Sequence, residues 1–227
     1  NDTSYTFTVT ATNAIGTSAA SAASNPVTPV LAIAIGSTHQ GGIVFYLDGS
    51  GGGLIAAVED QSIGIQWYNG SYVTTGATGT AIGTGSANTT TIITEQGAPA
   101  ISYAAGLARA YEGGGYTDWF LPSKDELNKM YENIGQGNVL GLGNVGNFIN
   151  AFYWSSTEYA TSNAWDQYFH DGYQRASYKN NSDGVRAVRA FSVPIVPDAP
   201  TIVTATAGDA QATVSYTAPS SNGGSEI

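Results

Sequence analysis

The residue types best suited to molecular recognition are concentrated in the segment 159–184. Tyr, Asn, Ser, Asp and Gly account for 15 of its 26 residues. Tyrosine provides a rigid ring with a polar hydroxyl, while Asn, Ser and Gly provide adaptable hydrogen bonds, a mixture typical of antibody binding loops. From Tyr153 to Gly184 there is no Leu, Ile, Val or Met, so this stretch cannot supply an aliphatic core. We therefore expect a recognition surface here, the alternative being an ordinary polar loop.

Catalytic chemistry has little support in the sequence. The only histidines are His39 and His170, and no Gly-x-Ser-x-Gly nucleophile elbow accompanies either of them. The absence of cysteine excludes thiolate catalysis, disulfides and Cys-ligated metals. The glycine clusters at 49–53 and 113–115 lack the Lys-Ser/Thr of a phosphate-binding loop and predict turns. We expect no enzymatic activity.

Calcium is the one cofactor that the composition leaves open. Side-chain oxygens occur together at 180–183 and at Glu59 and Asp60. None of these segments, nor the turn after Asp48, has the alternating acids of an EF-hand loop. Local Asx hydrogen bonds explain each of them without a metal. We expect no resident cofactor, with calcium as the alternative.

The overall charge limits the partners. Seven basic and seventeen acidic residues give a net charge of −10, which opposes binding to nucleic acid or to an anionic membrane. No apolar run approaches the ~20 residues that a membrane span needs, and nothing at the start resembles a signal peptide. All the basic residues lie between Arg109 and Arg189, so the centre differs from the two ends. A Cys-free acidic chain rich in Thr, Asn and Gly is typical of a bacterial surface or secreted protein.

Both ends of the chain have the pattern of β-strands. Apolar residues alternate from Tyr5 to Ala11, and a turn at 13–16 leads into a Ser/Ala-rich strand. At the other end, a proline-containing linker at 197–200 precedes two short strands around a turn at 208–209. These pieces resemble the end and the beginning of fibronectin type III repeats. A repeat takes about 90–100 residues, so we expect each piece to be part of a repeat in a longer chain; disordered tails are the alternative.

The expected domains are therefore 1–30, 31–192 and 193–227, the last being a linker and the start of the next repeat. In the central domain, a glycine-rich turn joins predicted strands at 42–47 and 54–58.

Two main helices are predicted. Ser123 and Glu126 form a capping box, and the apolar positions that follow have helical spacing up to a stop at Gly135. The other helix covers 104–111. Shorter predicted elements are a helix capped by Asn88, a helical turn at 148–152, and strands at 66–68 and 188–191.

Five motifs follow one another in an order that resembles a known family. They are QGGIVFY at 40–46, GIQW at 64–67, DWFLPSKDEL at 118–127, YWSSTE at 153–158 and VRAVR at 185–189. The family is that of bacterial surface-protein domains related to the C-terminal domain of collagen-like adhesins and to the fibrobacter major paralogous domain, and the resemblance covers 36–191. It implies an α+β domain with a C-type-lectin-like fold of the formylglycine-generating-enzyme type, in which two main helices lie beside a small twisted antiparallel sheet. That enzyme works through Cys, so its activity is not implied here.

The same region is similar to the variable proteins of diversity-generating retroelements, in which Asn codons of a template are mutagenised. This similarity implies a fixed frame made of Trp165, Gln167, Gln174 and Lys179. The displayed, ligand-binding positions would be Ala160, Thr161, Ser162, Asp166, Tyr168, His170, Asp171, Tyr173, Arg175, Ala176, Ser177, Tyr178, Ser182 and Gly184.

A structural scaffold must position these residues. We expect Arg186 and Arg189 to fix the loops by pairing with Glu158 or Asp125. Tyr and Arg dominate binding energies at interfaces, which favours Tyr168, Tyr173, Tyr178 and Arg175 as the main contacts. The predicted scaffold residues are Trp119, Phe120, Leu121, Trp154, Trp165 and Phe169.

The sequence thus predicts a non-enzymatic ligand-binding or adhesion module that is extracellular, on a bacterial cell surface or a phage virion. Its partners would be a protein or glycan ligand and the neighbouring fibronectin-like repeats of the same chain, with no nucleic acid and no membrane insertion. The alternative is structural: the polar face would be a subunit contact in a surface filament or virion coat. A recognition face should vary among relatives, whereas an assembly contact should stay constant.

Overall fold

The chain divides into two compact units, Asn1–Ile33 and Ala34–Ile227. The predicted linker at 197–200 and residue 209 of the predicted turn lie outside the described residues, and the division into three domains stays a prediction. No helix in the described part of the chain is long and apolar enough to cross a membrane. The computed structural model describes residues 4–26 and 33–192, and the backbone of 201–208 and 211–217.

The first unit is a hairpin around the turn at 13–16, which confirms that turn. The side-chain oxygen of Asn13 accepts hydrogen bonds from the backbone N–H groups of Ile15 and Gly16, as in an Asx turn. Three serines, spaced by three residues, each donate their backbone N–H to a carbonyl of the facing segment and accept that residue's N–H through Oγ. They are Ser18, Ser21 and Ser24. This segment is therefore bonded at every third residue rather than every second one. The predicted strands at 5–11 and after the turn are therefore wrong: the described residues 4–26 contain isolated bridges such as that of Thr12 with Thr17, and no strand.

The second unit contains both helices and strands, which confirms the α+β class. The helices are α1 Gly85–Gln96, α2 Ala104–Arg109 and α3 Lys124–Ile134. The strands are β1 Thr38–His39, β2 Gly42–Leu47, β3 Gly52–Ala57, β4 Ser62–Ile65, β5 Phe152–Ala160, β6 Asn163–Tyr168, β7 Gln174–Tyr178, β8 Asp183–Val185, β9 Val188–Ser192, β10 Thr201–Gly208 and β11 Gln211–Thr217.

These strands form two sheets and one separate hairpin among the described residues. The first sheet has the order β1-β2-β3-β9, and the second has the order β4-β8-β5-β6-β7. The family resemblance implies one small sheet. That expectation is wrong, because the described residues form two sheets besides the separate hairpin. All pairings are antiparallel except that of β5 with β8. The predicted hairpin of β2 with β3, the strand β9 and the two strands β10 and β11 are confirmed.

Helix α3 begins as the sequence predicts. The Oγ of Ser123 accepts the N–H of Glu126, and the Glu126 carboxylate accepts the N–H of Ser123 at 2.7 Å. Glu126 is fully buried and also accepts the N–H of Gly83 at 2.7 Å. Burial raises the pKa of this carboxyl, although the N–H donors oppose the shift. The capping box therefore also holds the loop before α1.

Helix α1 is longer than predicted, and Asn88 does not cap it. The helix has twelve residues and its N-cap is Thr84. The Asn88 side chain instead accepts the N–H of Gly79 at 3.2 Å and donates to the carbonyl of the same residue at 2.6 Å. Asn88 is therefore a buried support for the preceding loop.

Two short predicted elements are wrong. Residues 66–68 form no strand, because Trp67 leaves the sheet after β4 and its indole N–H donates to the Ser155 carbonyl at 2.8 Å. Residues 148–152 form no helix, because the Asn144 side chain makes hydrogen bonds with both the N–H and the carbonyl of Phe148. These bonds take the place of helical ones.

The segment without aliphatic residues contributes to the core through its aromatic rings. Tyr153 and Phe169 are fully buried, with ring centroids 4.7 Å apart, and both contact Phe148. Met130 of α3 and Phe45 of β2 belong to the same core cluster. The start of β5 and the end of β6 are thereby fixed to the body of the domain.

Candidate recognition site

The segment 159–184 contains the end of β5, all of β6 and β7, and the start of β8. β6 pairs with β5 on one side and with β7 on the other, and β7 is the outermost strand. Side chains alternate between the two faces of a strand. The pair Asp166–Arg175 is therefore on one face of the β6–β7 hairpin, and the pair Trp165–Ala176 is on the other.

One face of the hairpin is held against α3. The Gln167 amide donates to Asn128 Oδ1 at 2.7 Å, and the Gln174 amide donates to the Lys124 carbonyl at 3.1 Å. The Lys124 ammonium lies 4.3 Å from the ring centroid of Trp165, a favourable cation–π arrangement. These contacts support the predicted role of Trp165, Gln167 and Gln174 as a frame.

The fourth frame residue, Lys179, forms a buried ion pair. Its Nζ lies 2.5 Å from Oε1 of Glu158, and both side chains are almost inaccessible to solvent. Burial alone would raise the pKa of Glu158, but the Lys179 ammonium and the N–H groups of Thr75 and Gly76 outweigh it and hold the pKa below its usual value. Lys179 also donates to the Val73 carbonyl at 3.0 Å. The pair thus ties the loop at 68–76 to the hairpin.

The two arginines predicted to pair with Glu158 or Asp125 have other partners, so that prediction is wrong. Arg186 pairs with Asp60, with Nε 2.7 Å from Oδ1, and Arg189 pairs with Asp118. Glu158 forms its ion pair with Lys179 instead. Both arginines still connect separate parts of the chain.

One end of the hairpin carries a group that we call the charged patch. The Arg175 guanidinium contacts both carboxylate oxygens of Asp166 at 3.2 Å and lies 3.6 Å from the ring centroid of Phe152. Phe152 stacks on Tyr168 at 4.7 Å, and Tyr168 lies 5.7 Å from the ring of His170. The charged patch comprises Phe152, Asp166, Tyr168, His170, Arg175 and Asp183.

The two carboxyl groups of the charged patch, Asp166 and Asp183, are buried and adjoin each other. Asp183 is 8% exposed, and its Oδ2 atom has no hydrogen-bond partner among the described residues. Burial, followed by the charge and hydrogen bonding of Asp166, raises the pKa of Asp183 to about 7. Burial also raises the pKa of Asp166, although Arg175 opposes that shift. The pair therefore holds a proton well above the usual range of carboxyl groups.

The other end of the hairpin carries what we call the neutral patch, made of Tyr68, Tyr72, Thr74, Thr161 and Tyr178. The rings of Tyr68 and Tyr72 are 4.8 Å apart and inclined by 32°. Partial desolvation, together with the neighbouring phenols of Tyr68 and Tyr178, raises the pKa of Tyr72. The hydroxyls of Thr74 and Thr161 are 2.6 Å apart. The loop at 68–76 and the hairpin thus share one surface.

The family model of the Lcl C-terminal domain matches residues 56–189, which is more than half of the chain and includes both patches. The chain belongs to the Lcl C-terminal domain family. This confirms the predicted resemblance for the Lcl C-terminal domain family, over residues 56–189 of the expected 36–191. No curated protein matches the chain.

The predicted binding residues of this Lcl C-terminal domain differ in exposure. The exposed ones are Ala160, Thr161, His170, Asp171, Tyr173, Tyr178 and Ser182. The half-buried ones are Ser162, Tyr168, Arg175 and Ala176. The buried ones are Asp166, Ser177 and Gly184.

The expectation that Asp166, Ser177 and Gly184 are displayed is therefore wrong. Asp166 lies beneath Arg175, Ser177 accepts a hydrogen bond from the Asn181 amide at 2.7 Å, and Gly184 packs against the Tyr153 ring. A Cβ at Gly184 would lie 3.0 Å from that ring. The role of the other residues in binding stays a prediction.

The predicted residues do not form one continuous face. Tyr168, His170 and Arg175 belong to the charged patch, whereas Thr161 and Tyr178 belong to the neutral patch. Arg175 and Tyr178 are three residues apart on β7, about 10 Å of strand, and therefore lie on opposite faces of the hairpin.

Sequence reasoning missed several members of the two patches. Tyr68 and Tyr72 are in a stretch from 61 to 94 with no charged residue or histidine, and two tyrosines flanking Asn-Gly-Ser are themselves a recognition-like pattern. Phe152 was expected in a helical turn, and Asp183 was grouped with the calcium alternative. No local sequence signal pairs Asp183 with Asp166, because they meet through sheet topology.

The scaffold prediction is confirmed for the aromatic residues Trp119, Phe120, Trp154 and Phe169, which are buried, as is Leu121. Trp165 is only half-buried.

The segments considered for calcium have other contacts. The Asp60 carboxylate accepts the Tyr153 hydroxyl at 2.8 Å and pairs with Arg186, and the Asn181 amide is bonded to Ser177. Among the described residues, no three His, Asp or Glu side chains converge as metal ligands would. The two histidines lie in different sheets or their loops: His39 packs edge-on against Phe191, while His170 is exposed after β6.

Proposed function

We propose that this Lcl C-terminal domain is a non-enzymatic recognition or adhesion module that binds its ligand through the β6–β7 hairpin. One observation carries the proposal: exposed Tyr173, Tyr178 and half-exposed Arg175 project from a hairpin whose buried side chains are fixed to α3 and to Glu158. Tyrosine and arginine supply most of the binding energy at interfaces. A fixed support lowers the entropy cost of binding.

The carboxyl pair of the charged patch does not favour catalysis over binding. A general acid or base must lie within hydrogen-bond distance of the substrate proton. The free Oδ2 of Asp183 is shielded from solvent, and Arg175 covers Asp166. These groups are therefore better placed to hold Arg175 than to meet a substrate.

The proposal also covers the fold of the domain, its neighbours in the chain and its location. The Lcl family is consistent with a surface or adhesion-related protein. In our proposal the domain has a C-type-lectin-like fold, lies between fibronectin-like repeats and is presented on a bacterial cell or a phage particle. The ligand is a protein or a glycan.

Diversification by a retroelement is a further part of this proposal. It would act on the exposed and half-buried positions, because replacing Asp166, Ser177 or Gly184 would disturb buried contacts. The nucleotide sequence of the locus tests this part. A second copy of the region encoding 153–191, with adenines at the variable codons and a reverse transcriptase nearby, is expected. A locus with neither would leave the hairpin as an invariant binding surface.

The binding experiment uses the full chain on an array of neutral, sialylated and sulfated oligosaccharides and purified extracellular-matrix proteins. We expect binding to at least one probe, reduced at least tenfold by Tyr173→Ala with Arg175→Ala or by Tyr178→Ala. Val139→Ala, which shortens a side chain that is 75% exposed, is the control. Absence of binding to every probe would contradict the proposal.

The structural alternative is favoured by one observation: β7 is an edge strand, and edge strands can pair with a second copy. Sedimentation velocity of the full chain distinguishes the two functions. A monomer at micromolar concentration supports recognition. Self-association that Tyr173→Ala and Arg175→Ala abolish, without any binding on the array, supports a subunit contact.

A further inference from the structure

None of the five residues of the neutral patch carries a charge. No charged residue or histidine occurs from 61 to 94, the stretch that contains Tyr68 and Tyr72. The hairpin contributes one cation near this end, Lys179, and Glu158 neutralises it in the interior. A ligand on this surface would therefore meet aromatic rings, hydroxyls and amides.

The loop that carries Tyr72 is anchored on both sides. Before Tyr72, the N–H of Asn69 donates to Gln96 Oε1 at 3.1 Å, and the Asn69 amide donates to the carbonyl of the same glutamine. After Tyr72, Val73 accepts from Lys179, and Thr75 donates to Glu158. The rings are thus positioned before any ligand arrives, which reduces the entropy cost of binding.

The exposed rings have polar but uncharged neighbours. Tyr72 is 45% and Tyr178 is 61% exposed, and the hydroxyls of Thr74 and Thr161 lie between the loop and the hairpin. The C–H face of a pyranose packs on an aromatic ring, while its hydroxyls exchange hydrogen bonds with such groups. An anionic ligand on these rings would lose hydration without gaining a cation from the patch itself.

We infer that the neutral patch is a binding site for an uncharged saccharide, with Tyr72 and Tyr178 as the stacking residues. This inference rests on the proposed recognition function and assigns a ligand class to one end of the hairpin.

The test is a titration of the full chain with the neutral oligosaccharides of the array, measured by calorimetry at 50 mM and 500 mM NaCl. We expect affinity to change less than twofold between these salt concentrations, since no charges are involved. Tyr72→Ala and Tyr178→Ala should each lower affinity at least tenfold. Tyr72→Phe, which keeps the ring, should retain affinity within threefold. Tyr5→Ala is the matched control, because Tyr5 is also 45% exposed and lies in the first unit.

Three results would overturn the inference while leaving the proposed function intact. They are binding to anionic glycans alone, binding to matrix proteins alone, and binding to a neutral glycan that Arg175→Ala abolishes but Tyr72→Ala does not. Absence of binding to any probe would overturn both. Thermal unfolding of each variant separates a lost contact from a lost fold, and Tyr72→Phe provides a second variant if Tyr72→Ala unfolds.

Discussion

The two ends of the β6–β7 hairpin display the same residue type, tyrosine, on different electrostatic supports. In the charged patch, Arg175 is partly exposed and its carboxylate partner adjoins Asp183, whose pKa is about 7. In the neutral patch, the supporting charges, Lys179 and Glu158, are buried and hydrogen-bonded to each other and to the loop at 68–76. The carboxyl pair of Asp166 and Asp183 titrates in the neutral range, whereas Glu158 does not. The two ends should therefore respond differently to pH and to mutation.

The largest effect is expected from Glu158→Ala, which removes the support of the neutral patch. The change leaves Lys179 buried without a counter-ion, at a cost of about 3–5 kcal/mol in the free energy of unfolding. Urea denaturation at pH 7.5 measures it. Glu158→Ala combined with Lys179→Met should recover much of the loss. A cost below about 1 kcal/mol for the single change would show that Lys179 reaches solvent and does not hold the loop.

The pH dependence of Glu158 has the opposite sign to that of Asp183. Because the pKa of Glu158 is depressed in the folded state, its contribution is present above its unfolded pKa, near 4.3. It is lost as the pH falls through the folded value. Because the pKa of Asp183 is raised to about 7, folding favours its protonated form. Stability from this group therefore falls as the pH rises from about 4 to about 7.

Asp183→Asn should remove this fall in stability between pH 4 and pH 7. We expect the melting temperature of the variant to equal that of the native chain at pH 4.5 or to be slightly lower. At pH 8 it should be several degrees higher, which corresponds to a free energy of unfolding larger by about 1–2 kcal/mol. Thermal unfolding across pH 4–8 measures the effect, and Asp171→Asn, an exposed change in the same segment, is the control. If the native and Asp183→Asn curves stay parallel, the carboxyl pair does not titrate as described.

Arg175→Met should have a smaller effect that also depends on pH. The change leaves the two carboxyl groups without their cation, at a cost of about 1–2 kcal/mol at pH 8, and a smaller cost at pH 5, where the pair holds its proton. The Met side chain keeps an apolar contact with Phe152. Urea denaturation at the two pH values is the measurement. Equal costs at pH 5 and pH 8 would contradict the coupling of Arg175 to the pair.

Thr74→Val should have the smallest effect, because it removes one exposed hydrogen bond with Thr161. We expect a cost of about 0.5 kcal/mol or less, with no change between pH 5 and pH 8. Thr161→Val should have a similar effect, and the double variant should cost no more than either single change, since the two hydroxyls share one bond. A pH-dependent cost would mean that the neutral patch is coupled to a titrating group.

Local sequence signals predict the elements that depend on neighbouring residues. The capping box at Ser123, the glycine-rich turn after Asp48 and the Asx turn at Asn13 are all short-range hydrogen-bond patterns. Each was found where the sequence placed it. Helix α1 was underestimated because its Thr-rich sequence has a weak helical propensity, and buried contacts such as that of Thr89 with Leu121 compensate.

The ion pairs were harder to predict, since tertiary structure selects them. Glu158 pairs with Lys179 rather than with an arginine, and Arg186 pairs with Asp60 across the chain. The sequence shows which residues carry charge but not which strands become neighbours. For the same reason, composition located the recognition segment, while the burial of Asp166, Ser177 and Gly184 required the register of the sheet.

The order β4-β8-β5-β6-β7 has a consequence for how the domain can change. β5 and β8 are already neighbours, and the hairpin of β6 and β7 is attached outside them. The chain therefore adds two strands on the outer side of β5 before it returns to β8 on the other side. The order of β4, β8 and β5 does not depend on these two added strands. A relative's segment 161–182 can thus replace this one only if it keeps Phe169, Gln167 and Lys179, which join the hairpin to the core, to α3 and to Glu158.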